Sequence, residues 1–463
     1  MKKLLSLLSV LTIGGSALPT TIACSSYEKE EKLNIINHLL ANNLENLKRS
    51  KREKINYKKI IVDLNDIDDK SQIRSLLVLN NKIYFTTING KMYEYDPQTE
   101  KNRFVVDMGG VEHWSTGIIF NNKIYIASGA KSLNNQKVYE VDPSKNYKKA
   151  VINMTNISHS QGLLFNNKLY FGSGDHNVYE YDPVTEQQKI TINANSTFRT
   201  SGVTLNNKLY FVSHDSKVYE YNPTTQQQKI IQNLDKIRTS GLVLNNKIYF
   251  CSNNEGTIYE YNPQTEHNRL VVKIGNTNSI WSDGAVLNNK LYFVSDSKVH
   301  EIDPIANSKK TVINMKGESH LRGLTFNNKV YFASTGGNVY EYDPISGYQK
   351  IIMNNENVGF ISNGIELNNK LYFGTVDGKI YEYFDFYNEN INNLKKDLNE
   401  KQNEITKLKT ELENYKNEFK KISMKYVSLD QDQFLKNMDR TIKNIEKTQN
   451  LYVSKINIDI RNN

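Results

Sequence analysis

The apolar positions of the chain follow two different rhythms. Over residues 58–385 they fall in short runs, and one motif recurs there: Asn-Asn-Lys, an apolar residue, Tyr and usually Phe. From residue 386 onward they return every third or fourth position, as on one side of a helix. The pattern therefore divides the chain into a β-rich repeat region and a helical tail.

The Asn-Asn-Lys motif recurs with a nearly constant period. Successive copies lie 39 to 45 residues apart. Such a period indicates one supersecondary unit used many times. The motif begins at Asn80, Asn121, Asn166, Asn206, Asn245, Asn288, Asn327 and Asn368.

Each repeat has the pattern of four short strands, as the fourth copy illustrates. Asn206-Asn207 supplies a two-residue turn between the first strand and the second, because asparagine tolerates positive φ angles. Residues 208–212 form the second strand and residues 217–221 the third, which Pro223 ends. A fourth strand begins at Lys229. Four strands in roughly 40 residues are typical of a propeller blade.

The two ends of the repeat region complement each other. The eighth copy has no fourth strand after Tyr383, whereas residues 57–62, ahead of the first copy, resemble one. An N-terminal strand that completes the last blade leaves the ring without an open seam. We therefore predict an all-β, eight-bladed β-propeller with four-stranded blades over residues 58–385.

The first 24 residues have the three parts of an export signal. Lys2 and Lys3 precede a mostly apolar stretch over residues 4–18, and Ala23 stands before Cys24. The sequence over residues 21–24, Thr-Ile-Ala-Cys, resembles the lipobox of bacterial lipoproteins. That resemblance implies removal of residues 1–23 and acylation of Cys24, with lipid anchoring at the outer face of the cell membrane. An ordinary secreted protein is the alternative.

The repeat also resembles the blades of kelch and quinoprotein-like propellers. The likeness lies in the Tyr-x-Tyr-Asp-Pro end of the third strand, at residues 93–97, 179–183 and 340–344. With the signal and the Asn-, Lys-, Ile- and Tyr-rich composition, the chain is similar to surface lipoproteins of wall-less bacteria (mollicutes). It has neither the consistent Gly-Gly pair of kelch units nor the blade-docking tryptophans of quinone-dependent dehydrogenases, so the resemblance names no ligand.

Two further segments flank the predicted propeller. Residues 24–57 read as a helical, charged linker with a basic cluster at 48–52. Residues 386–463 read as a coiled coil, since apolar residues follow a heptad from Ile391 to Leu429 and resume from Leu435. An intramolecular hairpin and an oligomerising coiled coil, with self-association or a partner helix through 386–460, both fit this pattern.

Residues shared by all copies are candidates for the scaffold. A glutamate occupies the middle of every third strand, and we interpret it as structural, in a salt bridge or a backbone hydrogen bond. The tyrosine of every second strand is interpreted as packing between blades. The glutamates are Glu94, Glu140, Glu180, Glu220, Glu260, Glu301, Glu341 and Glu382. Cys251, inside an apolar strand, is expected to be a small buried side chain.

A ligand site is expected where the copies differ, at the start of the first strands and so at one mouth of the central channel. Both tryptophans of the chain occupy the same repeat position, four blades apart. Aromatic and cationic side chains in a ring suit an anionic or sugar-like ligand. The alternative is that they plug the channel and cap strand ends. The candidates are Trp114, His159, Arg199, Arg238, Trp281, Asp283, His320 and Arg322.

The sequence signatures of several functional classes are absent from the chain. The chain has no Gly-rich phosphate loop, no Gly-x-Ser-x-Gly and no His-Glu-x-x-His, and its eight histidines lack metal-site spacing. We therefore predict no catalytic residue, metal or cofactor. Of the net charge of +9, only +2 falls within residues 58–385, which argues against nucleic acid as a partner.

We expect a membrane-anchored, extracellular binding protein rather than an enzyme. Its role would be adhesion to a host or partner surface, or scaffolding of a surface complex, with a protein or glycan partner at the cell surface. The alternative is an enzyme or solute-capturing protein that uses the channel mouth for an anionic or sugar-like ligand.

Overall fold

The computed structural model describes most of the predicted propeller. The described ranges are 56–67, 71–109, 117–129, 136–154, 162–198, 201–233, 239–252, 256–275, 284–315, 323–355, 358–360 and 362–385, with scattered positions between 396 and 443. Residues 57–384 form one compact unit. The chain before and after that range belongs to a second unit.

The first half of the propeller begins with a strand that belongs to the last blade. This strand, β1, spans Asn56–Asp63 and runs into a 3₁₀ turn at Leu64–Ile67. The strands of the first four blades are β2 Ile73–Leu79, β3 Lys82–Thr87, β4 Lys91–Asp96, β5 Lys101–Asp107, β6 Ile118–Phe120, β7 Lys123–Gly129, β8 Gln136–Asp142, β9 Tyr147–Met154, β10 Gly162–Phe165, β11 Lys168–Gly172, β12 Asn177–Asp182, β13 Gln187–Asn193, β14 Val203–Leu205, β15 Lys208–Val212, β16 Lys217–Asn222 and β17 Gln227–Asn233.

The second half repeats the same order of strands. The eighth blade takes three strands from this half and its fourth from β1. The strands are β18 Leu242–Leu244, β19 Lys247–Cys251, β20 Thr257–Asn262, β21 His267–Lys273, β22 Ala285–Leu287, β23 Lys290–Ser295, β24 Lys298–Asp303, β25 Ser308–Asn314, β26 Gly323–Phe326, β27 Lys329–Ala333, β28 Asn338–Tyr342, β29 Gln349–Asn354, β30 Ile365–Leu367, β31 Lys370–Gly374 and β32 Lys379–Asp385.

The strands pair into eight four-stranded sheets. Seven sheets take four consecutive strands, from β2-β3-β4-β5 to β26-β27-β28-β29. The eighth has the order β1-β32-β31-β30, so the N-terminal strand fills the place of the missing fourth strand. The predicted eight-bladed propeller with four-stranded blades is confirmed, and so is its closure by the first strand.

The core of the propeller consists of layers between neighbouring blades. In the second strand of the fourth blade, Leu209 and Phe211 pack toward the third blade, whereas Tyr210 and Val212 pack toward the fifth. Side chains alternate across a strand, so an unbroken apolar run is what a sheet buried on both faces requires. Eight such clusters occur, one between each pair of adjacent blades.

The closing contact is one of these eight layers. Val62 of β1 and Leu64 beside it are buried, with 1% and 0% of their surface exposed. They pack with Ile380 of the eighth blade and with Ile83 and Phe85 of the first. The interface between the last blade and the first is therefore built like the others.

Every Asn-Asn pair forms the turn that the sequence predicts. All sixteen asparagines have positive φ, between 48° and 60°. The loops have two residues, as the pairing of Leu205 with Lys208 shows. Positive φ at both central positions is the mark of a type I′ turn, whose twist matches that of the flanking strands.

The outermost strand of a blade carries a β-bulge in each of the first seven blades. In the fourth blade Val218 pairs with Gln232 and Tyr219 with Ile230, so Ile231 is the extra residue. Ile230 then stays 52% exposed at the rim. A bulge increases local twist and discourages pairing of the open edge with another chain.

Little of the predicted tail is described. Its described positions, scattered between 396 and 443, are helical, and the Thr410 hydroxyl donates to the Thr406 carbonyl at 3.0 Å. All positions of the predicted apolar seam, from Ile391 to Leu429 and from Leu435 onward, lie outside the described residues, so the coiled coil remains a prediction. Among described residues, no helix is long and apolar enough to cross a membrane.

Replacement of Leu64 by alanine tests the closing layer. The cavity left between the last and first blades is expected to lower the free energy of unfolding by about 2–5 kcal/mol. Ile60→Ala, on the 46% exposed side chain of the adjoining strand β1, should cost less than about 1 kcal/mol. Urea denaturation followed by circular dichroism measures both. Equal stability of the two variants would contradict a closing role for this segment.

Candidate functional site

The predicted ligand residues belong to the segments that lead from one blade into the next. We call the end of the propeller at which the first strands begin the variable mouth. All eight candidates lie outside the described residues: Trp114, His159, Arg199, Arg238, Trp281, Asp283, His320 and Arg322. Cys24, the predicted lipidation site, lies outside them as well. The described residues next to the mouth show how its frame is built.

Glycines let the first strands approach one another beneath the variable mouth. A Cβ on Gly162 would lie 2.0 Å from Cδ1 of Ile118, in the first strand of the preceding blade. A Cβ on Gly323 would lie 2.8 Å from Cβ of Ala285 and 2.9 Å from backbone atoms of Gly284. The first strands of neighbouring blades therefore approach one another closely at these glycines.

The polar position just before these glycines links neighbouring blades where it is described. The hydroxyls of Ser201 and Ser240 lie 2.9 Å apart, across the fourth and fifth blades. The amide of Asn363 accepts from the Leu76 N–H at 3.4 Å and donates to the Leu76 carbonyl at 3.2 Å. Where they are described, these residues therefore link neighbouring blades.

The glutamate common to all third strands lies in a buried ion pair in most blades. In the fourth blade Lys208 Nζ lies 2.7 Å from Glu220 Oε1, and the Tyr210 hydroxyl donates to Glu220 Oε2 at 3.1 Å. The Lys–Glu distance is 2.5 to 3.0 Å in seven blades. The structural role predicted for this glutamate is confirmed by these contacts.

The first and fifth blades strengthen this ion pair with an arginine. Arg269 Nε and Nη2 donate to Glu260 at 2.9 and 2.6 Å, in a bidentate arrangement. Burial by itself raises the pKa of Glu260, but hydrogen bonds from Arg269, Lys247 and Tyr249 outweigh it and lower the pKa to about 2. Arg103, Lys82 and Tyr84 lower the pKa of Glu94 to about 2 in the same way, against burial.

The same arginines also join each of these blades to the next one. Arg269 Nη2 donates to the Pro304 carbonyl at 2.7 Å and Nη1 to Asn307 Oδ1 at 2.5 Å. In the same way, Arg103 Nη2 donates to the Pro143 carbonyl of the second blade at 2.9 Å, and Arg103 Nη1 donates to Asn146 Oδ1 at 2.5 Å. These two clamps lie four blades apart, on opposite sides of the ring.

The sixth blade departs from the common pattern. Lys290 pairs with Asp303 instead of the glutamate of its own third strand, Glu301, which keeps its bond from Tyr292 at 3.0 Å. His300 stands where other blades carry tyrosine, with Nδ1 3.2 Å from Thr311 Oγ1. Burial, helped by nearby lysines, lowers the pKa of His300 to about 4. The imidazole of His300 is therefore neutral at physiological pH.

Two further observations concern chemical reactivity, one on the thiol of Cys251 and one on metal ligands. Cys251 is 1% exposed, and burial raises the pKa of its thiol, which disfavours the nucleophilic thiolate. The side chain is thus small and buried, as expected. Within the described ranges, no group of three His, Cys, Asp or Glu residues is placed to hold a metal ion.

Comparisons with known proteins identify the fold and nothing finer. No family model matches the chain, and no curated protein matches it. The computationally designed Ika8 protein superposes with a TM-score of 0.55 at 15% identity, over 68% of this chain and 97% of its own. BamB from Moraxella catarrhalis superposes with a TM-score of 0.53 at 13% identity, over 71% of this chain and 98% of its own. Sqt1 from Saccharomyces cerevisiae superposes with a TM-score of 0.54 at 12% identity, over 71% of this chain and 97% of its own.

The low pKa of two buried glutamates predicts a characteristic loss of stability in acid. Glu94 and Glu260 titrate near 2 in the folded chain, below the ordinary value of 4.5. Their stabilising contribution is therefore present above pH 4.5 and is lost as the pH falls toward 2. A Glu94→Gln, Glu260→Gln double variant should be less stable at pH 7 and change less over that interval.

Urea denaturation at pH 7, 4.5, 3 and 2 measures this difference. Glu366→Gln, on an exposed carboxylate, is the control and should keep the acid profile of the unaltered chain. An identical acid profile in the double variant would contradict a stabilising role for the two ionised glutamates.

Proposed function

We propose that this chain is a lipid-anchored protein of the outer face of the cell membrane, which binds a partner through its propeller. Its role would be adhesion to a host or partner surface, or scaffolding of a surface complex. A surface lipoprotein of the kind found in wall-less bacteria fits the signal, the lipobox-like sequence and the composition. The tail adds a predicted means of self-association or of binding a partner helix.

The observation that carries this proposal is the use of the repeated residues. The tyrosine, lysine and glutamate found in nearly every blade contact one another or the next blade, as Tyr210, Lys208 and Glu220 do. They build a rigid closed ring. The parts of the propeller that vary from blade to blade are then available for recognition, and in propellers such variation lies at the ends of the blades.

The variable mouth is the proposed position of the partner site. Its candidates bring two tryptophans, three arginines and two histidines to two repeat positions, seven and five residues before the Asn-Asn pair. Such side chains recognise acidic or sugar-like groups by stacking and by charge-assisted hydrogen bonds. A rigid frame holds recognition loops at low entropic cost, which favours tight binding.

Replacing Trp114, Arg199 and Arg238 together by alanine tests the mouth. Attachment of the fluorescent, folded chain to cultured host cells is expected to fall at least about tenfold, since stacking and charge contacts are both removed. Phe104→Ala, on a 51% exposed side chain at the outer rim, is the control and should attach normally. Undiminished attachment of the triple variant would place the partner elsewhere on the chain.

The anchor is tested by exchanging each cysteine in turn. In a bacterial host that processes lipoproteins, labelled palmitate should enter the unaltered chain and the Cys251→Ser variant. Cys24→Ser should take up no label and leave the membrane fraction, because acylation supplies the membrane affinity. Label in Cys24→Ser, or its retention on membranes, would contradict the anchor.

A further inference from the structure

The end of the propeller opposite the variable mouth carries a ring of asparagines. Each first strand runs from the variable mouth to an Asn-Asn turn, so all eight turns meet at the other end of the channel. We call this surface the asparagine face. All of its asparagines are exposed: Asn80, Asn81, Asn121, Asn122, Asn166, Asn167, Asn206, Asn207, Asn245, Asn246, Asn288, Asn289, Asn327, Asn328, Asn368 and Asn369.

Turn geometry by itself does not account for the second asparagine of each pair. In a type I′ turn Asn-Gly and Asp-Gly are the preferred pairs, because glycine reaches positive φ without steric cost. Other hairpin turns of the same blades do use glycine, as at Gly90, Gly337 and Gly378, with φ of 81°, 91° and 79°. Yet all eight second positions of the Asn-Asn turns carry a carboxamide.

These carboxamides are available to a ligand. Within the described part of the chain, none of the sixteen side-chain amides takes part in an intramolecular hydrogen bond. Their backbone is fixed by strand pairing on both sides of each turn, as Leu205 and Lys208 show. The carboxamides are thus exposed and unpaired, on a backbone that strand pairing fixes.

The face is nearly neutral in charge. The lysine after each turn is neutralised by a carboxylate, for example Lys82 by Glu94 at 2.8 Å and Lys329 by Glu341 at 2.8 Å. In the sixth blade Lys290 is paired with Asp303. An anionic ligand would therefore find the lysines already paired, whereas a neutral ligand that binds by hydrogen bonds does not depend on free cations.

We propose that the asparagine face binds neutral glycans. A carboxamide offers two donors and one acceptor, which matches the sugar hydroxyl, itself both donor and acceptor. Eight equivalent pairs around one axis suit a ligand with many repeated hydroxyl groups, and linked weak contacts add to a useful avidity. This inference shares with the proposed function only the premise that the propeller is the part that binds. The asparagine face lies at the end opposite the variable mouth.

A variant with the eight second asparagines changed to glycine isolates these side chains. Because Asn-Gly is the preferred type I′ pair, the ring should fold with unchanged or higher thermal stability while losing eight carboxamides. The substitutions are Asn81→Gly, Asn122→Gly, Asn167→Gly, Asn207→Gly, Asn246→Gly, Asn289→Gly, Asn328→Gly and Asn369→Gly.

A matched control alters the outer turns at the same end of the propeller. It combines Thr185→Ala, Thr225→Ala and Thr265→Ala with Gln226→Gly, where φ is already 57°. All four residues are exposed. The control removes polar groups from this end and leaves the asparagines in place.

The measurement is binding of the full chain to a microarray of neutral, sialylated and sulphated oligosaccharides. The unaltered chain and the control should bind neutral glycans, with little effect of salt, and the eight-glycine variant should bind at least about tenfold more weakly. Absence of neutral-glycan binding by the unaltered chain, equal binding by the eight-glycine variant, or binding restricted to acidic glycans and abolished by salt would each overturn the proposal.

The array separates this inference from the proposed function. Loss of glycan binding in the eight-glycine variant supports the asparagine face whether or not the Trp114, Arg199 and Arg238 variant still attaches to cells. Conversely, normal cell attachment by a chain that binds no neutral glycan overturns the inference and leaves the proposed function in place.

Discussion

Burial of both faces of every blade is the constraint on which the structure depends. A single blade cannot hide the apolar run of its second strand, because Leu209 and Phe211 project from one face and Tyr210 from the other. Each buried aromatic or aliphatic side chain of this size contributes about 1.5–3 kcal/mol only when the neighbouring blade on its own face is present. Stability therefore belongs to the interfaces between blades, and an open ring would lose one of the eight interfaces and expose both of its faces.

The ionic contacts are arranged around this constraint. Lys208, Glu220 and Tyr210 satisfy one another at the edge of an apolar layer, so a carboxylate can be buried there without an uncompensated charge. At two opposite interfaces Arg103 and Arg269 extend the same network to the following blade. The residues that look most reactive in the sequence thus hold neighbouring blades in register.

Local chemistry explains why so much of the fold is visible in the sequence. The Asn-Asn turns, the proline after the third strand and the unbroken apolar second strand each act within a few residues. The bulge at Ile231 was not predicted, because an extra residue in an apolar strand leaves no mark in the pattern. The bond from Arg269 to Asn307 depends on how two blades meet. The segments that carry Trp114 and Trp281 follow no local rule, since they differ in length and sequence between copies.

The eighth blade differs from the others in a connection that decides how it responds to mechanical tension. Elsewhere a turn joins the third and fourth strands, whereas here no turn connects β32 to β1, which pair as neighbours in the sheet. Tyr57 and Phe384 lie at the end of this pair where the other blades have that turn. Tension applied between the two flanking segments would act on the pairing one hydrogen bond at a time, starting from that end. Tension on the flanking segments would therefore be carried first by the blade that closes the ring, whereas the other seven blades are reached only through it.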